Sequence, residues 1–396
     1  MTSSRHDTRA SPPTIRSEPD GAVQSAQAAG RLLPIAVTMG DPAGIGPEIV
    51  LKLIASRPPG EANVPGAPAA TSLDDKPRSD FVVYGDPIVL AREARRLGLN
   101  TERLAIRECS TLPADLPLGR VDRRAGDAAF RAVRQAAADA VAGRVRAVVT
   151  APLNKEAMNA AGHRFPGHTE ILAEVAGGVP VRMMLANQEL RTVLVTIHTP
   201  LRQAIEQLTA ASILETIRLT HAHLRVAGIP SPRIAVAGLN PHAGEGGLIG
   251  REEIEIIAPA IAAAQRDGID ATGPHAPDTV FMRARGFAEF DVVIAMYHDQ
   301  GLIPVKYLGL EEGVNVTVGL PFVRTSPDHG TAFDIAGKGI ADTRSLAAAI
   351  RMADEMSGGG RRDLAGDAIS SASRDAAPRE LPLAYPTSPA ASEPSA

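Results

Sequence analysis

Residues 295–342 read AMYHDQGLIPVKYLGLEEGVNVTVGLPFVRTSPDHGTAFDIAGKGIAD, and the stretch sets His, Asp, Lys, Asn and Arg among glycines and short apolar runs. The run at 292–296, VVIAM, has strand length and no alternation, which is the pattern of a strand covered on both faces in a parallel sheet. His298 and Asp299 then follow that strand's carboxyl end, the edge at which open α/β sheets bind ligands. The run VNVTV at 314–318 alternates instead, with Val314, Val316 and Val318 on one face and Asn315 and Thr317 on the other. Asn315 is therefore expected to be presented rather than packed among aliphatic side chains.

Outward from this stretch the same grammar recurs. Residues 35–38, IAVT, form a short apolar strand followed by MGDPAGIGPEIVLKLI, in which glycines make a turn and Pro47 suits the first turn of a helix. Such a turn either cradles an anion on backbone N–H groups or simply packs strand against helix. Its glycines, Gly40, Gly44 and Gly46, match neither the P-loop nor the dinucleotide fingerprint. Further strands are predicted at 81–85, 147–150, 192–197 and 234–239, a helix at 127–142, and Thr169 as the cap of a helix after PGH. Strands alternating with helices define an α/β protein. Residues 1–32 are expected to be a disordered arm, 57–80 a Pro-, Gly- and Ala-rich surface insertion, and 358–396 a flexible tail, because these segments have too little to bury to offset the cost of ordering.

Composition narrows the function classes. A chain of 396 residues exceeds the usual single-core size and implies two lobes or domains. Net charge is -4 and aromatic residues are 3%, so a nucleic-acid surface would lack both its phosphate-binding charge and its stacking platforms. The lone Cys109 precludes an internal disulfide and leaves imidazoles and carboxylates as metal ligands. No stretch approaches the roughly 20 apolar residues of a membrane helix. The N-terminus also lacks an apolar secretory core, so a cytoplasmic location is expected.

Three predicted strands run into a histidine: His198 after 192–197, His242 in NPHAGEGG after 234–239, and His298 after 292–296. One such histidine is ordinarily a hydrogen-bonded structural residue. Three on one edge would suit a divalent metal, since three protein ligands with an open position is the catalytic pattern. His6, His163, His221, His223 and His275 have no comparable context.

YHDQGL, Lys306, GVNVTVGLPFVRTSPDHGTAFDIAG and, upstream, PGHTE and GLNPHAGEGG resemble the motif blocks of 4-hydroxythreonine-4-phosphate dehydrogenase, the PdxA family, in order from about residue 35 to about residue 356. The resemblance implies a two-lobed fold of the isopropylmalate/isocitrate dehydrogenase type rather than a Rossmann fold. One lobe would comprise 33–154 plus 313–357, and the other 155–312, with the metal site and dimer contacts in the second. It implies a homodimer whose site uses both subunits, one divalent ion (Zn, Mg or Co) on His198, His242 and His298, and substrate contacts from His168, Thr169, Lys306, Asn315 and Arg324. HGTAFDIAGKGIAD at 329–342 is also similar to the adenosine-binding loop of isopropylmalate and isocitrate dehydrogenases. On that likeness NAD, or NADP, would be bound by His329, Gly330, Thr331 and Asp334, with Gly244 and Gly247 of GEGGLIG at the pyrophosphate or nicotinamide end. The alternative for 329–342 is a Gly-rich connector.

The implied reaction is oxidation of 4-phosphooxy-L-threonine in pyridoxine 5'-phosphate biosynthesis. Sister activities remain open, on threonate or erythronate phosphates or on a cis-dihydrodiol carboxylate. A metal-dependent phosphohydrolase would also use three histidines and anion-binding cations. Asp299 and Asp278 are the candidate bases, and Asp299 serves equally well as a carboxylate orienting His298. A non-catalytic metal-binding or interaction protein would leave these convergent polar residues unexplained.

Overall fold

Eleven described strands form one mixed sheet: β1 (Ile35–Thr38), β2 (Phe81–Gly85), β3 (Ile106–Glu108), β4 (Ala147–Thr150), β5 (Arg182–Ala186), β6 (Arg191–Leu194), β7 (Ile234–Ala237), β8 (Ala271–His275), β9 (Val292–Ala295), β10 (Val314–Val318) and β11 (Val323–Pro327). The computed structural model describes residues 32–55, 80–101, 104–309 and 312–358, all within a unit spanning 1–359. The arm, the 57–80 insertion and the tail lie, but for edge positions, outside the described residues.

The strand order is β3-β2-β1-β4-β11-β10-β5-β6-β9-β7-β8. Segments 33–154 and 313–357 supply β1 to β4, β10 and β11, while 155–312 supplies β5 to β9, and the two sets share the one sheet. The parallel strands β1, β4, β7 and β9 are apolar and buried along their whole length, as runs without alternation require. The centre differs: β10 pairs antiparallel with both β11 and β5, and β5 antiparallel with β6. Helices cover both faces. The helix Arg123–Val141 buries alanines, among them Ala125, Ala128, Ala132 and Ala136, small side chains that let it lie close to the strands. The helix Pro87–Leu97 is capped by the Asp86 carboxylate, which accepts from the Ile88 and Val89 N–H groups, and is ended by Gly98 at φ 67.

Two boundaries differ from the sequence pattern. β6 ends at Leu194 rather than at 197, although the Val195 and Thr196 N–H groups still donate to the carbonyls of Ala295 and Met296 at 2.9 and 3.3 Å before the chain reaches His198. The helix expected to be capped by Thr169 starts at His168 with Gly167 as its cap residue and no side-chain cap bond. Gly167 is placed so that an added Cβ would lie 3.5 Å from Glu170 Oε2 and 3.7 Å from Lys155 Cε.

Candidate functional site

The side-chain period of two puts Asn315 and Thr317 of β10 on the face of the sheet that also carries Arg324 and Ser326 of β11, with Asn315 directly across from Ser326. These residues, with Thr150 from β4, line a cavity of about 570 Å³. Its other walls include Lys155, His168, Thr169, Glu170, His198, Asp328, His329 and Gly330. The sequence placed the ligand site at the carboxyl edge of parallel strands. The cavity takes Lys155 after β4, His198 after β6 and Asp328 after β11 from such strand ends, and extends over the face of the central strands, where the antiparallel β10 and β5 interrupt the parallel arrays.

Arg324 is the chemical centre of this wall. It is 4% exposed, donating from Nη1 to Thr317 Oγ1 at 3.0 Å and from Nη2 to Thr150 Oγ1 at 2.6 Å. Its Nε has no partner, and burial pushes its pKa down to about 10. A buried cation held by hydroxyls, with a donor to spare, is built for an anion supplied from outside. His168 stands beside it with an unpartnered Nε2. Burial and then the Arg324 charge push its pKa well below the ordinary 6.5, so the ring is neutral at neutral pH. Lys306, on the helix His298–Leu308, reaches Asp328 Oδ2 at 2.8 Å, and Asn315 Nδ2 donates to Asp328 Oδ1 at 2.9 Å.

The histidines follow three adjacent parallel strands, in the order β6, β9, β7. His198 and His298 come together with ring centroids 5.6 Å apart. His198 lines both the large cavity and a neighbouring pocket that holds His298 and Asp299. His242 lies one pocket further on, with Asp278, Tyr297 and Asp299. Among the described residues no three His, Cys, Asp or Glu side chains form a ready metal cage. The donor chemistry nonetheless fits a divalent ion. His298 Nδ1 is engaged by Asp299 Oδ1 at 2.7 Å, which leaves Nε2 to coordinate. Burial, the His298 charge and Lys155 together lower the pKa of His198 and favour the neutral imidazole that a metal requires.

The turn bearing His242 is unusual. Residues 242–246 all have positive φ, including His242 and Ala243 at 52° and Glu245 at 44°, a conformation costly for residues other than glycine. Buried Glu253 holds it by accepting from the N–H groups of Leu239 and Asn240, both at 2.7 Å. Gly244 packs against Glu253, and neither it nor Gly247 lines the cavity containing His329 and Gly330.

The 329–342 loop leaves β11 directly. The carbonyl of Thr331 accepts from the Ile45 N–H at 3.0 Å, which fastens the loop to the Gly-rich turn after β1. A Cβ on Gly44 would approach that carbonyl to 2.8 Å, so the turn is a packing turn against the loop. At Gly330 a Cβ would meet nothing within 4 Å, so the loop has an open side able to take a flat ligand. Asp334 is exposed. Lys155, Glu170, Thr150, Thr317 and Asp328 were not singled out from sequence. Lys155 and Glu170 sit in motif-like blocks and Thr317 shares the face that alternation gives Asn315, whereas Thr150 carries no local mark.

Fold and site together define an α/β enzyme with a cation-lined small-molecule cleft and paired imidazoles beside it. The chain belongs to the PdxA family: the family model described as "Pyridoxal phosphate biosynthetic protein PdxA" matches residues 78–353. It is similar to a 4-hydroxythreonine-4-phosphate dehydrogenase of Beijerinckia indica subsp. indica, 53% identical over 341 residues, covering 82% of this chain and 95% of that one. It is also similar to a D-threonate 4-phosphate dehydrogenase of Cupriavidus necator, 47% identical over 329 residues and covering 81% and 96%. A crystal structure of a 4-hydroxythreonine-4-phosphate dehydrogenase from Burkholderia phymatum aligns with TM-score 0.70 and 44% identity, covering 82% of this chain and 98% of that one. The chain is a PdxA-type dehydrogenase, an oxidoreductase acting on a CH–OH group. No helix among the described residues is long and apolar enough to cross a membrane.

Proposed function

We propose that this protein oxidises 4-phosphooxy-L-threonine to 2-amino-3-oxo-4-phosphooxybutanoate, which loses carbon dioxide to give 3-amino-2-oxopropyl phosphate, in pyridoxine 5'-phosphate biosynthesis. The observation that carries the reading is Arg324, a buried cation without a bonded carboxylate in the wall of the cavity. It would take one anionic end of the substrate and Lys306 the other, with His168, Thr169 and Asn315 fixing the carbon chain between them. When bound, NAD or NADP supplies the hydride acceptor, and a divalent ion (Zn, Mg or Co) on the histidines supplies the Lewis acidity that eases loss of a hydroxyl proton. His329, Gly330 and Thr331 would lie along the nucleotide, with Asp334, Gly244 and Gly247 as outlying contacts.

His298 Nδ1 already bonds to Asp299, which supports an orienting role for that carboxylate. Asp278, in the pocket with His242, is then the remaining candidate to receive the hydroxyl proton. His242 lines a different pocket from His198 and His298, and no three such side chains among the described residues form a metal cage, which supports a homodimer in which a second copy completes the site. The same pocket carries the exposed apolar side chains of Met282, Ile303 and Tyr307, at 75%, 63% and 91% exposure, a surface of the kind that subunits cover.

The test supplies substrate deuterated at C3 with NAD and each metal, and follows deuterium in the reduced nicotinamide together with released carbon dioxide. D-threonate 4-phosphate is the competing substrate. Faster turnover of that compound would move the assignment to the sister activity, and phosphate release without nicotinamide reduction would move it to a phosphohydrolase.

A further inference from the structure

Asp328 follows β11 immediately and is the one acidic side chain that touches both Asn315 and Lys306 among the described residues. It accepts from Asn315 Nδ2 at 2.9 Å through Oδ1. Lys306 Nζ stands 2.8 Å from Oδ2 as an ion pair, without the alignment of a hydrogen bond. These partners come from different elements: Asn315 from β10, and Lys306 from the helix His298–Leu308, which begins at one of the imidazoles beside the cavity. Asp328 also opens the 329–342 loop, and its backbone N–H lies 3.4 Å from Ser345 Oγ.

An ionised carboxylate only accepts hydrogen bonds, so it dictates which way a neighbouring amide faces. With Nδ2 turned to Asp328, Asn315 must direct Oδ1 away from it, and that oxygen is buried with no partner. The reversed amide would set two acceptors against each other at hydrogen-bonding distance. A buried acceptor left without a donor is costly unless a ligand brings one.

We infer that Asp328 is a positioning residue that fixes Asn315 as an acceptor facing the cavity and holds the Lys306 ammonium beside it, so that this corner receives a hydroxyl or ammonium donor next to an anionic group. The identity of that ligand rests on the dehydrogenase reading above. The orientation of Asn315 does not. Asn315 therefore contacts a donor of the substrate and not its phosphate oxygens, and the phosphate and carboxylate are left to Arg324 and Lys306.

The experiment has an arm that needs no turnover. In protein labelled with 15N at asparagine, the Asn315 side-chain amide, identified by its absence from Asn315→Asp, is expected to be shifted from the ordinary position and to return there in Asp328→Asn. Kinetically, Asp328→Asn is expected to raise the KM for 4-phosphooxy-L-threonine by about tenfold or more while the KM for NAD changes by less than about twofold. The exchanged pair Asn315→Asp with Asp328→Asn restores the hydrogen bond with donor and acceptor reversed and keeps an acceptor facing the ligand. It is expected to return the KM to within about threefold of the parent. An unchanged amide resonance or an unchanged substrate KM in Asp328→Asn, or an exchanged pair no better than that single variant, overturns the inference. A shifted amide in a protein that turns over no phosphorylated hydroxy acid would leave the positioning role standing and remove the functional reading instead.

Discussion

Glu48 accepts a hydrogen bond from the backbone N–H of Ala341 at 2.7 Å, joining the helix Gly46–Ile54 to the end of the 329–342 loop. The same carboxylate accepts from the Gly339 N–H at 3.2 Å, while Lys52 donates to the carbonyls of Gly339 and Ala341 at 2.9 Å and Arg96 to that of Gly337 at 2.6 Å. Burial pushes the Glu48 carboxyl up, but Lys52, the Ala341 N–H and Arg96 outweigh it and hold it below the ordinary 4.5. The carboxylate is thus ionised and locked, and the loop's backbone takes its shape from charged side chains outside it.

Glu48→Gln should therefore act on the cofactor side alone. Removing the charge leaves Lys52 and Arg96 partly unpaired, and the loss of stability should be roughly 3 kcal/mol by chemical denaturation. In the folded fraction the KM for NAD is expected to rise about tenfold with the substrate KM within about twofold. A parallel rise in both constants would mean that the loop does not carry the nucleotide.

Gly330→Val tests the same loop from its open side. The residue does not lie at positive φ, and an added Cβ would meet no atom within 4 Å, so the melting temperature should be unchanged. The added isopropyl group would fill the space along the loop, and NAD binding measured by calorimetry should weaken by about tenfold or more. Undiminished binding would exclude Gly330 from the nucleotide site.

Asp299→Asn separates two roles. As an orienting carboxylate on His298 Nδ1, its loss should weaken metal binding by roughly 10- to 100-fold, read by competition with a chelating dye. Its loss as a base would instead lower kcat with metal affinity unchanged. Removing metal with a chelator should abolish turnover, and His198→Ala and His298→Ala should each prevent its recovery on adding metal back.

A pH effect is expected from the turn after β1. Asp41 is fully buried, Oδ1 accepts from the Ala43 N–H at 2.8 Å, and Oδ2 has no partner. Burial raises its pKa from the ordinary 3.8 to about 6. A raised folded pKa means that its contribution is fully present below pH 3.8 and is lost as pH rises through 6. Asp41→Asn should erase this dependence, so the variant's stability relative to the parent should climb between pH 4 and pH 7 by roughly 3 kcal/mol. Parallel stability curves for the two proteins across that range would refute it.

The strands were legible because their cause is local. Uninterrupted apolar runs such as 35–38, 147–150 and 292–295 can satisfy their side chains only when covered on both faces, and all three are buried parallel strands. The alternation of 314–318 likewise put Asn315 and Thr317 on one face, and both line the cavity. The ends of β6 and of the helix at His168 each moved by a few residues, since element ends are the part of a local pattern that neighbouring residues constrain least.

By itself the sequence determined the α/β class, the elements nearest the chemistry and the family to which the chain belongs, since periodicity, turn residues and motif blocks are carried by neighbours along the chain. Only the tertiary structure decided that β10 and β11 enter the sheet between β4 and β5, that Arg324 finds a hydroxyl partner in Thr150, 174 residues away, and that Asp328 turns the Asn315 amide. Each of these depends on pairing between distant strands, parallel for β11 with β4 and antiparallel for β10 with β11 and β5, and on its register. Spacing along one chain does not encode them, because the free energy that selects one register comes from burying distant segments together.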